Sequence, residues 1–186
     1  MNCAAALHDG GFGKQHANAR RQRTVTKMSF NTADLYDEYG ERLRVVMPMF
    51  RHFGAAAAFH GEIVTVKVFE DNQLVRTALS QDGTDRVLVI DGGGSLRTAL
   101  VGDRIAQLAC DNHWAGMVIN GCIRDSVEIN EIAIGIRALD TNPARPAKDG
   151  AGETMLPVSF GGVIFVPGEF LYADEDGVVV SATRLD

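Results

Sequence analysis

The chain has 186 residues, 46% of them hydrophobic, and a formal net charge of −6 at pH 7. This length is enough to bury one hydrophobic core and favours one domain over two. The sequence contains no apolar run of about 18 residues, the length a membrane-spanning helix requires, so no membrane association is expected. The acidic balance also argues against direct binding of nucleic acid, because the phosphate backbone attracts basic proteins.

The first 27 residues differ in charge from the rest of the chain. They contain five basic residues and one acid, a net of +4, which leaves −10 on residues 28–186. We expect residues 1–27 to be a disordered leader or a segment foreign to the natural protein, with Met28 as the natural start and residues 28–186 as one domain. The alternative is a transit peptide, because such peptides are rich in Arg and poor in acids.

The cysteines indicate a reducing compartment. Cys3, Cys110 and Cys122 are odd in number and form no C-x-x-C pair. This pattern favours free thiols in a cytoplasmic protein over a disulfide framework.

The first elements predicted along the chain are a helix, a strand and a second helix. Residues 32–39 form a helix with Asn31 or Thr32 as N-cap and acids in its first turns. Residues 59–69 alternate as a half-buried strand, with Thr65, Lys67 and Phe69 on a partly exposed face. A short helix is expected over residues 72–79.

The middle of the chain predicts a parallel sheet covered by helices. Residues 86–91 and 115–119 are continuous apolar strands, which is typical of strands buried on both faces. Residues 98–112 between them have helical spacing, so the three segments form a βαβ unit. Shorter strands then follow at residues 158–160, 163–166 and 178–181. The fold class is therefore α/β with mixed parallel and antiparallel sheets.

Three glycines, Gly92 to Gly94, follow the first apolar strand and invite comparison with a dinucleotide-binding loop. Arg97 occupies the position where that motif needs Gly or Ala, so we discount a nucleotide site. The glycines are better explained by a tight turn that a neighbouring loop approaches closely.

Asp103 is followed, after twenty residues, by Arg124 and Asp125, with Glu128 one turn further on. Carboxylates suit a hard divalent cation that keeps several waters, and a planar Arg fork suits a substrate carboxylate. Asp125 with Glu128 also resembles a capping box that begins a helix over residues 126–132. On spacing alone, capping is the stronger interpretation. The loops at residues 102 and 124 lie where open α/β sheets collect ligands, which favours a site.

Other reactive side chains are weaker candidates. Lys67 could form a Schiff base with a 2-oxo acid, but its partly exposed face does not predict a lowered pKa. The three histidines of the body lie apart from one another and from possible co-ligands, as surface or packing residues: His52, His60 and His113. Cys122 has an apolar setting typical of a buried, inert thiol.

Five segments taken together resemble the RraA-like family, which joins the regulator of ribonuclease activity A to the class II 4-hydroxy-4-methyl-2-oxoglutarate aldolases. They are LVIDGGGS (88–95), LVGD (100–103), GMVINGCIRD (116–125), IGIRAL (134–139) and FGGV (160–163). The resemblance runs from about residue 30 to residue 186. It implies a swivelling β/β/α domain, a ring-shaped homotrimer with sites at the subunit clefts, and a small 2-oxo acid as substrate.

The resemblance also implies a role for each candidate residue. Asp125 would bind Mg²⁺ or Mn²⁺ directly, with Glu128 acting through a water, as a Lewis-acid centre for the enolate of pyruvate. Arg124 would lie beside the substrate carboxylate and the developing oxyanion, and Asp103 would hold a water that relays protons. The substrate carboxylate would be received by the backbone N–H groups of four residues, Gly102, Asp103, Arg104 and Ile105. Decarboxylation of oxaloacetate passes through the same enolate.

Two other functions are associated with the same family. Some members bind and inhibit a ribonuclease without being enzymes, but that branch has lost acids that stand here at Asp103, Asp125 and Glu128. Longer aldolase members carry additional C-terminal chain that contributes to a neighbouring site, whereas this chain ends at residue 186. A methyltransferase function is an older label, and no glycine-rich nucleotide loop supports it here.

Overall fold

A computed structural model describes residues 30–185. The segment predicted as a leader, residues 1–27, and the proposed start at Met28 lie outside the described residues. The helices described are α1 (Thr32–Tyr39), a 3-10 turn (Gly40–Arg42), α2 (Gln73–Leu79), α3 (Asp103–Asp111) and α4 (Ser126–Ile129). None of these helices is long and apolar enough to cross a membrane. The strands are β1 (Leu43–Val45), β2 (Arg51–Phe53), β3 (Phe59–Lys67), β4 (Arg86–Asp91), β5 (Ala99–Val101), β6 (Gly116–Ile123), β7 (Gly135–Thr141), β8 (Glu153–Thr154), β9 (Val158–Phe160), β10 (Val163–Phe165), β11 (Phe170–Ala173) and β12 (Val178–Ser181).

Ten of these strands form one mixed sheet. Its order is β1-β12-β11-β3-β4-β6-β7-β2, with β5 beside the end of β6 and β8 beside β3. The central strands β3, β4, β6 and β7 are parallel, whereas β11, β12 and β1 on one side and β2 on the other are antiparallel. The two remaining strands, β9 and β10, form a separate hairpin. The predicted mixture of parallel and antiparallel sheet is confirmed.

Both faces of the central sheet are covered, but by different layers. In β4, Leu88 and Ile90 pack in a cluster with α2, α3 and α4, whereas Val87 and Val89 pack in a second cluster with the hairpin of β9 and β10. All four side chains are fully buried. Continuous apolar strands are required because water reaches neither face. The layers are thus hairpin, sheet and helices, which confirms the β/β/α arrangement.

The first helix begins as predicted. The Asn31 carboxamide oxygen accepts hydrogen bonds from the N–H groups of Ala33 at 2.9 Å and Asp34 at 3.4 Å. Thr32, the alternative N-cap, instead lies inside the first turn. Its N–H and hydroxyl both donate to the buried carboxylate of Asp174 at 2.6 Å.

The helix predicted over residues 98–112 is wrong in its first part. Ala99–Val101 is the strand β5, which pairs with Cys122 and Ile123 at the end of β6, and α3 begins only at Asp103. The three residues of β5 are all buried, so pairing with β6 satisfies their backbone in a place without water. The strand predicted at residues 115–119 is correspondingly longer, because β6 continues to Ile123.

One residue on the predicted partly exposed face of β3 is buried instead. Thr65 is fully buried, and its hydroxyl donates to the carbonyl of Leu156 at 2.6 Å because β8 lies along this part of β3. The strand ends at Lys67, which is exposed, and Phe69 lies beyond it. Strands β1, β2, β7, β8 and β11 were not predicted as strands from the sequence.

Candidate active site

The site begins where β5 leads directly into α3 at the carboxyl edge of the parallel strands. Gly102 occupies the N-cap position, and no side chain caps the helix there. The first N–H groups of an α-helix lack intrahelical partners and carry a partial positive charge, so they can bind an anion. Ile105 is an exception, because its N–H donates to the Gly102 carbonyl at 3.0 Å. The Asp103 N–H also has an acceptor, Asp125 Oδ2 at 3.4 Å, so the Arg104 N–H is the donor of this turn that a substrate carboxylate could use.

Asp125 lies on the loop between β6 and α4 and does not cap α4. Its backbone is left-handed, with φ 54° and ψ 44°, and its side chain makes no capping hydrogen bond. The Oδ2 atom instead accepts from Arg124 Nε at 3.1 Å and from the Asp103 N–H at 3.4 Å. The capping-box interpretation is therefore wrong. The predicted helix over residues 126–132 is also shorter, since α4 ends at Ile129.

Glycine is required at position 102 because the Asp125 side chain occupies the space that a side chain there would fill. A Cβ atom at residue 102 would lie 2.7 Å from Asp125 Oδ2 and 3.2 Å from Arg124 Cγ. Any side chain at this position would push the carboxylate and the guanidinium away from the start of α3. The sequence pair Gly102-Asp103 thus belongs to the same local structure as Arg124-Asp125.

The Asp125 carboxyl is ionised at neutral pH. Burial raises its pKa, but hydrogen bonds from Arg124 and from the Asp103 backbone, with the positive charge of Arg124, lower the pKa below its ordinary value. The side chains of Arg124 and Asp125 are 26% and 30% exposed, so water and ligands reach this pair. The pair presents a fixed carboxylate beside a fixed guanidinium.

A cleft of about 560 Å³ surrounds this pair. It is lined by Asn72, Gln73, Arg76, Ala99, Gly102, Asp103, Arg104, Ile105, Arg124, Asp125, Glu128, Arg145, Pro146 and Lys148. Every residue predicted for the site lines this cleft, and its volume is in the range typical of sites for small ligands.

The lining carries more positive than negative charge. Five cationic side chains and three carboxylates line the cleft, an excess of two positive charges in a chain whose net charge is −6. This local excess favours small anions over neutral ligands. Five polar or cationic residues of the lining were not predicted from the sequence: Asn72, Gln73, Arg76, Arg145 and Lys148. The only signal was a basic, proline-rich stretch at residues 142–148, whose position in the fold the sequence does not reveal.

The carboxylates of the cleft fit a hard divalent cation. Among residues 30–185 no group of three or more His, Cys, Asp or Glu side chains forms a complete metal cage. Mg²⁺ needs no such cage, because it is commonly held by one or two carboxylates and completes its shell with water and substrate oxygens. Asp103 begins α3 beside Asp125, whose Oδ2 accepts from the Asp103 N–H at 3.4 Å, and Glu128 lines the same cleft. Asp125 and Glu128 are the residues that could hold the ion.

The rival groups lie outside the cleft. Lys67 is exposed at the end of β3 and is not part of the lining. His52 and His113 are exposed, and His60 stacks on Phe30 with ring centroids 5.4 Å apart. Cys122 is buried, as predicted, and burial raises the pKa of its thiol.

Fold and site together define an α/β protein with a cleft of net positive charge at the carboxyl edge of its parallel strands. The RraA-like family model, described as Aldolase/RraA, matches residues 30–180, and the chain belongs to this family. Two relatives are named "Putative 4-hydroxy-4-methyl-2-oxoglutarate aldolase". The protein from Dechloromonas aromatica (strain RCB) is 57% identical to this chain, over 85% of this chain and 99% of that protein. The protein from Aromatoleum aromaticum (strain DSM 19018 / LMG 30748 / EbN1) is 55% identical, with the same coverage.

Two solved structures similar to this chain carry other names. A protein described as S-adenosylmethionine: 2-dimethylmenaquinone methyltransferase from Geobacillus kaustophilus HTA426 is 48% identical, with a TM-score of 0.82, over 84% of this chain and 97% of that one. The RNA-processing inhibitor RraA from Thermus thermophilis is 44% identical, also with a TM-score of 0.82, over 86% of this chain and 96% of that one.

Proposed function

We propose that this lyase of the RraA-like family cleaves 4-hydroxy-4-methyl-2-oxoglutarate, or a related 4-hydroxy-2-oxo acid, to pyruvate products and decarboxylates oxaloacetate at the same site. The observation that carries the proposal is that one cleft collects Asp103, Arg124, Asp125 and Glu128 around the start of α3. Relatives more than half identical over almost their whole length bear the name of that aldolase.

Substrate binding depends on the start of α3 and on Arg124. The carboxylate at C1 accepts from the Arg104 N–H in the first turn of this helix. Arg124 uses Nε to hold Asp125, and within residues 30–185 its two terminal nitrogens have no protein acceptor. They are available to the C1 carboxylate and the C2 oxygen, and the second contact strengthens as negative charge develops there.

The reaction breaks the bond between C3 and C4. A water held by Asp103 takes the proton of the 4-hydroxyl group, C4 becomes a carbonyl carbon, and the electron pair of the broken bond passes to the C2 oxygen as an enolate. The relay then returns a proton to C3, which gives pyruvate. In oxaloacetate the bond to the C4 carboxylate breaks instead, CO₂ leaves, and the same enolate is protonated.

The carboxylates supply a place for a cation. Mg²⁺ or Mn²⁺ held by Asp125, with Glu128 acting through a water, would contribute Lewis-acid chemistry at the C2 oxygen when bound. Arg124 stabilises the same oxygen from the protein side, and Asp125 keeps the guanidinium in position.

The decisive experiment measures pyruvate formation from oxaloacetate and from 4-hydroxy-4-methyl-2-oxoglutarate, with Mg²⁺ and with EDTA. We expect turnover of both compounds and a fall of about 100-fold or more when the metal is removed, because a Lewis acid contributes several kcal/mol. A protein that forms no pyruvate from either compound would contradict the proposal.

A non-enzymatic regulator that binds a ribonuclease is the second candidate, and the 44% identity to RraA favours it. An inactive protein that nevertheless inhibits a ribonuclease would support this reading. A methyltransferase is not supported, because the glycine turn has its own partners. The N–H groups of Gly92 and Gly94 donate to the Asn120 carbonyl at 3.0 and 3.1 Å, and a strand rather than a helix follows.

We also propose a homotrimer with sites at the subunit clefts, in the cytoplasm. Large apolar side chains are exposed on either side of the glycine turn and beside the site, including Phe69 at 60%, Leu96 at 55% and Val127 at 73%. Exposed apolar surface of this kind is typical of contacts between subunits. Closed symmetry would bury it without leaving an open end.

A further inference from the structure

One uncharged side chain of the cleft is almost completely buried. Asn72 is 8% exposed and lines the cleft, whereas Gln73, the other carboxamide of the lining, is exposed. Asn72 occupies the N-cap position of α2, yet its side chain makes no capping hydrogen bond. Asn is a preferred N-cap residue because its side chain can accept from the first N–H groups of a helix. The orientation of Asn72 therefore needs another explanation.

The Asn72 side chain is directed to β5 instead of to its own helix. Its Nδ2 atom donates to the buried carbonyl of Leu100 at 3.0 Å. The backbone of Asn72 is fixed as well, because its N–H donates to the Ala147 carbonyl at 3.2 Å and its carbonyl accepts from the Arg76 N–H at 3.0 Å. The carboxamide thus has a defined place beside the strand that leads into α3.

The start of α3 lies between Asn72 and Arg124. The next carbonyl of β5, that of Val101, accepts from the Arg124 N–H at 2.9 Å. Successive carbonyl groups of an extended strand point to opposite sides, so Leu100 and Val101 hold Asn72 and Arg124 on opposite sides of β5. The helix begins directly after this strand, at Asp103. A ligand bound there by Arg124 therefore has the Asn72 carboxamide on its other side.

The Asn72 carboxamide has one donor without a protein acceptor. Nδ2 carries two hydrogen atoms, and within residues 30–185 the Leu100 carbonyl is the one acceptor that it has. The cations of the cleft suit carboxylates, whereas an uncharged amide suits an uncharged hydroxyl group. A fixed donor also loses little entropy when a ligand binds. The second N–H of Asn72 is therefore suited to a hydroxyl oxygen of the ligand.

We propose that Asn72 donates this hydrogen bond to the oxygen on C4 of the substrate and is a catalytic residue for cleavage of the bond between C3 and C4. The inference rests on the proposed function. With the C1 carboxylate and the C2 oxygen beside Arg124, C4 is the next carbon of the substrate that carries an oxygen. As the water held by Asp103 takes the hydroxyl proton, negative charge develops on the C4 oxygen until the carbonyl group forms, and the Asn72 N–H stabilises that charge. The proton of Asn72 itself is not transferred.

The test compares two reactions that share the enolate of pyruvate but differ at C4. Cleavage of 4-hydroxy-4-methyl-2-oxoglutarate requires the C4 oxygen. Exchange of the pyruvate methyl hydrogens for deuterium, followed by NMR in D₂O with Mg²⁺, passes through the same enolate in a molecule without C4. Asn72→Ser keeps a single hydroxyl donor, which the Leu100 carbonyl can take, and leaves none for the substrate. It should lower the ratio of cleavage to exchange by about 10- to 100-fold, the worth of one hydrogen bond to a developing charge.

Asn142→Ser is the matched control. The Nδ2 atom of Asn142 likewise donates to a backbone carbonyl, that of Leu96, at 2.8 Å, and Asn142 lies outside the cleft, so this variant should keep the wild-type ratio. If Asn72→Ser does not lower the ratio, because both activities fall together or because neither falls, Asn72 only holds β5 and the inference is wrong. If Asn72→Ser does not fold, the same ratio in Asn72→Thr decides. A wild-type chain that catalyses neither reaction would contradict the proposed function itself.

Discussion

The smallest unit of the site is one carboxylate oxygen, Asp125 Oδ2. It lies between the Arg124 guanidinium and the start of α3, in a space that exists only because residue 102 has no side chain. The left-handed backbone of Asp125 turns the side chain away from α4 and toward this space. Backbone conformation thus decides that the carboxylate belongs to the site.

Asp125→Asn should fold normally and lose activity. Asn tolerates a left-handed backbone, and a partly exposed ion pair contributes only about 1 kcal/mol or less to the free energy of unfolding. Turnover of oxaloacetate should fall by about 100-fold or more, because the ionised metal ligand is lost. Asp85→Asn is the control, since Asp85 is also left-handed, with φ 59°, and lies outside the cleft. Unchanged turnover in Asp125→Asn would show that Asp125 has no role in catalysis.

Arg124 should be sensitive even to a conservative change. Arg124→Ala should lower turnover by roughly 10²- to 10³-fold, the usual cost of losing a donor to an oxyanion. Arg124→Lys should recover little, because one ammonium group cannot hold Asp125 and bind the substrate in a fork as well. Steady-state kinetics of the two variants measures this, and full activity in Arg124→Lys would show that simple charge attraction suffices.

At the scale of elements, the cleft lies where α2, β5, α3 and the segment after β7 meet, and Asp71 joins the first and last of these. Burial raises the pKa of the Asp71 carboxyl, but hydrogen bonds from the N–H groups of Gln73, Asp149, Gly150 and Ala151 lower it below its ordinary value. The folded state therefore favours the ionised carboxylate.

This pKa shift predicts a pH-dependent stability. A carboxyl whose pKa is lowered by folding stabilises the protein above its unfolded pKa, about 3.9 for Asp, and loses that contribution as the pH falls through the folded value. The difference in the free energy of unfolding between the wild-type chain and Asp71→Asn should be constant from about pH 5 to 7 and shrink below about pH 4. Urea unfolding at several pH values measures it. A difference that grows on acidification would contradict the role of the ionised carboxylate.

At the scale of the whole molecule, assembly and activity should be linked. Light scattering should report about three times the chain mass if the exposed apolar surface forms a cyclic interface. If the clefts lie between subunits, activity per chain should fall on dilution below the dissociation constant of the assembly. A fully active monomer would contradict both the trimer and a shared site.

Periodicity predicted much of the central fold because its physical cause is local. β4 is a continuous apolar run, and both of its faces are covered. The first helix begins at Asn31, whose side chain caps N–H groups only two and three residues further along the chain. Where a distant segment intervenes, periodicity failed. Thr65 is buried because β8 lies against β3, and residues 99–101 form a strand because the end of β6 offers a pairing edge.

The sequence by itself determined which chemistry is available here: a carboxylate, a guanidinium and two further acids within residues 103–128. The residue types and the order of the elements along the chain can be read from the sequence. They were enough to predict that Asp103 and Arg124 lie at one edge of the sheet. Only the tertiary structure decided that Asp125 faces Gly102 instead of capping α4, and that Arg145 and Lys148 reach the same cleft. These outcomes depend on hydrogen bonds between residues far apart in the chain, such as those of Asp71 with Asp149 and Gly150, which no local pattern encodes.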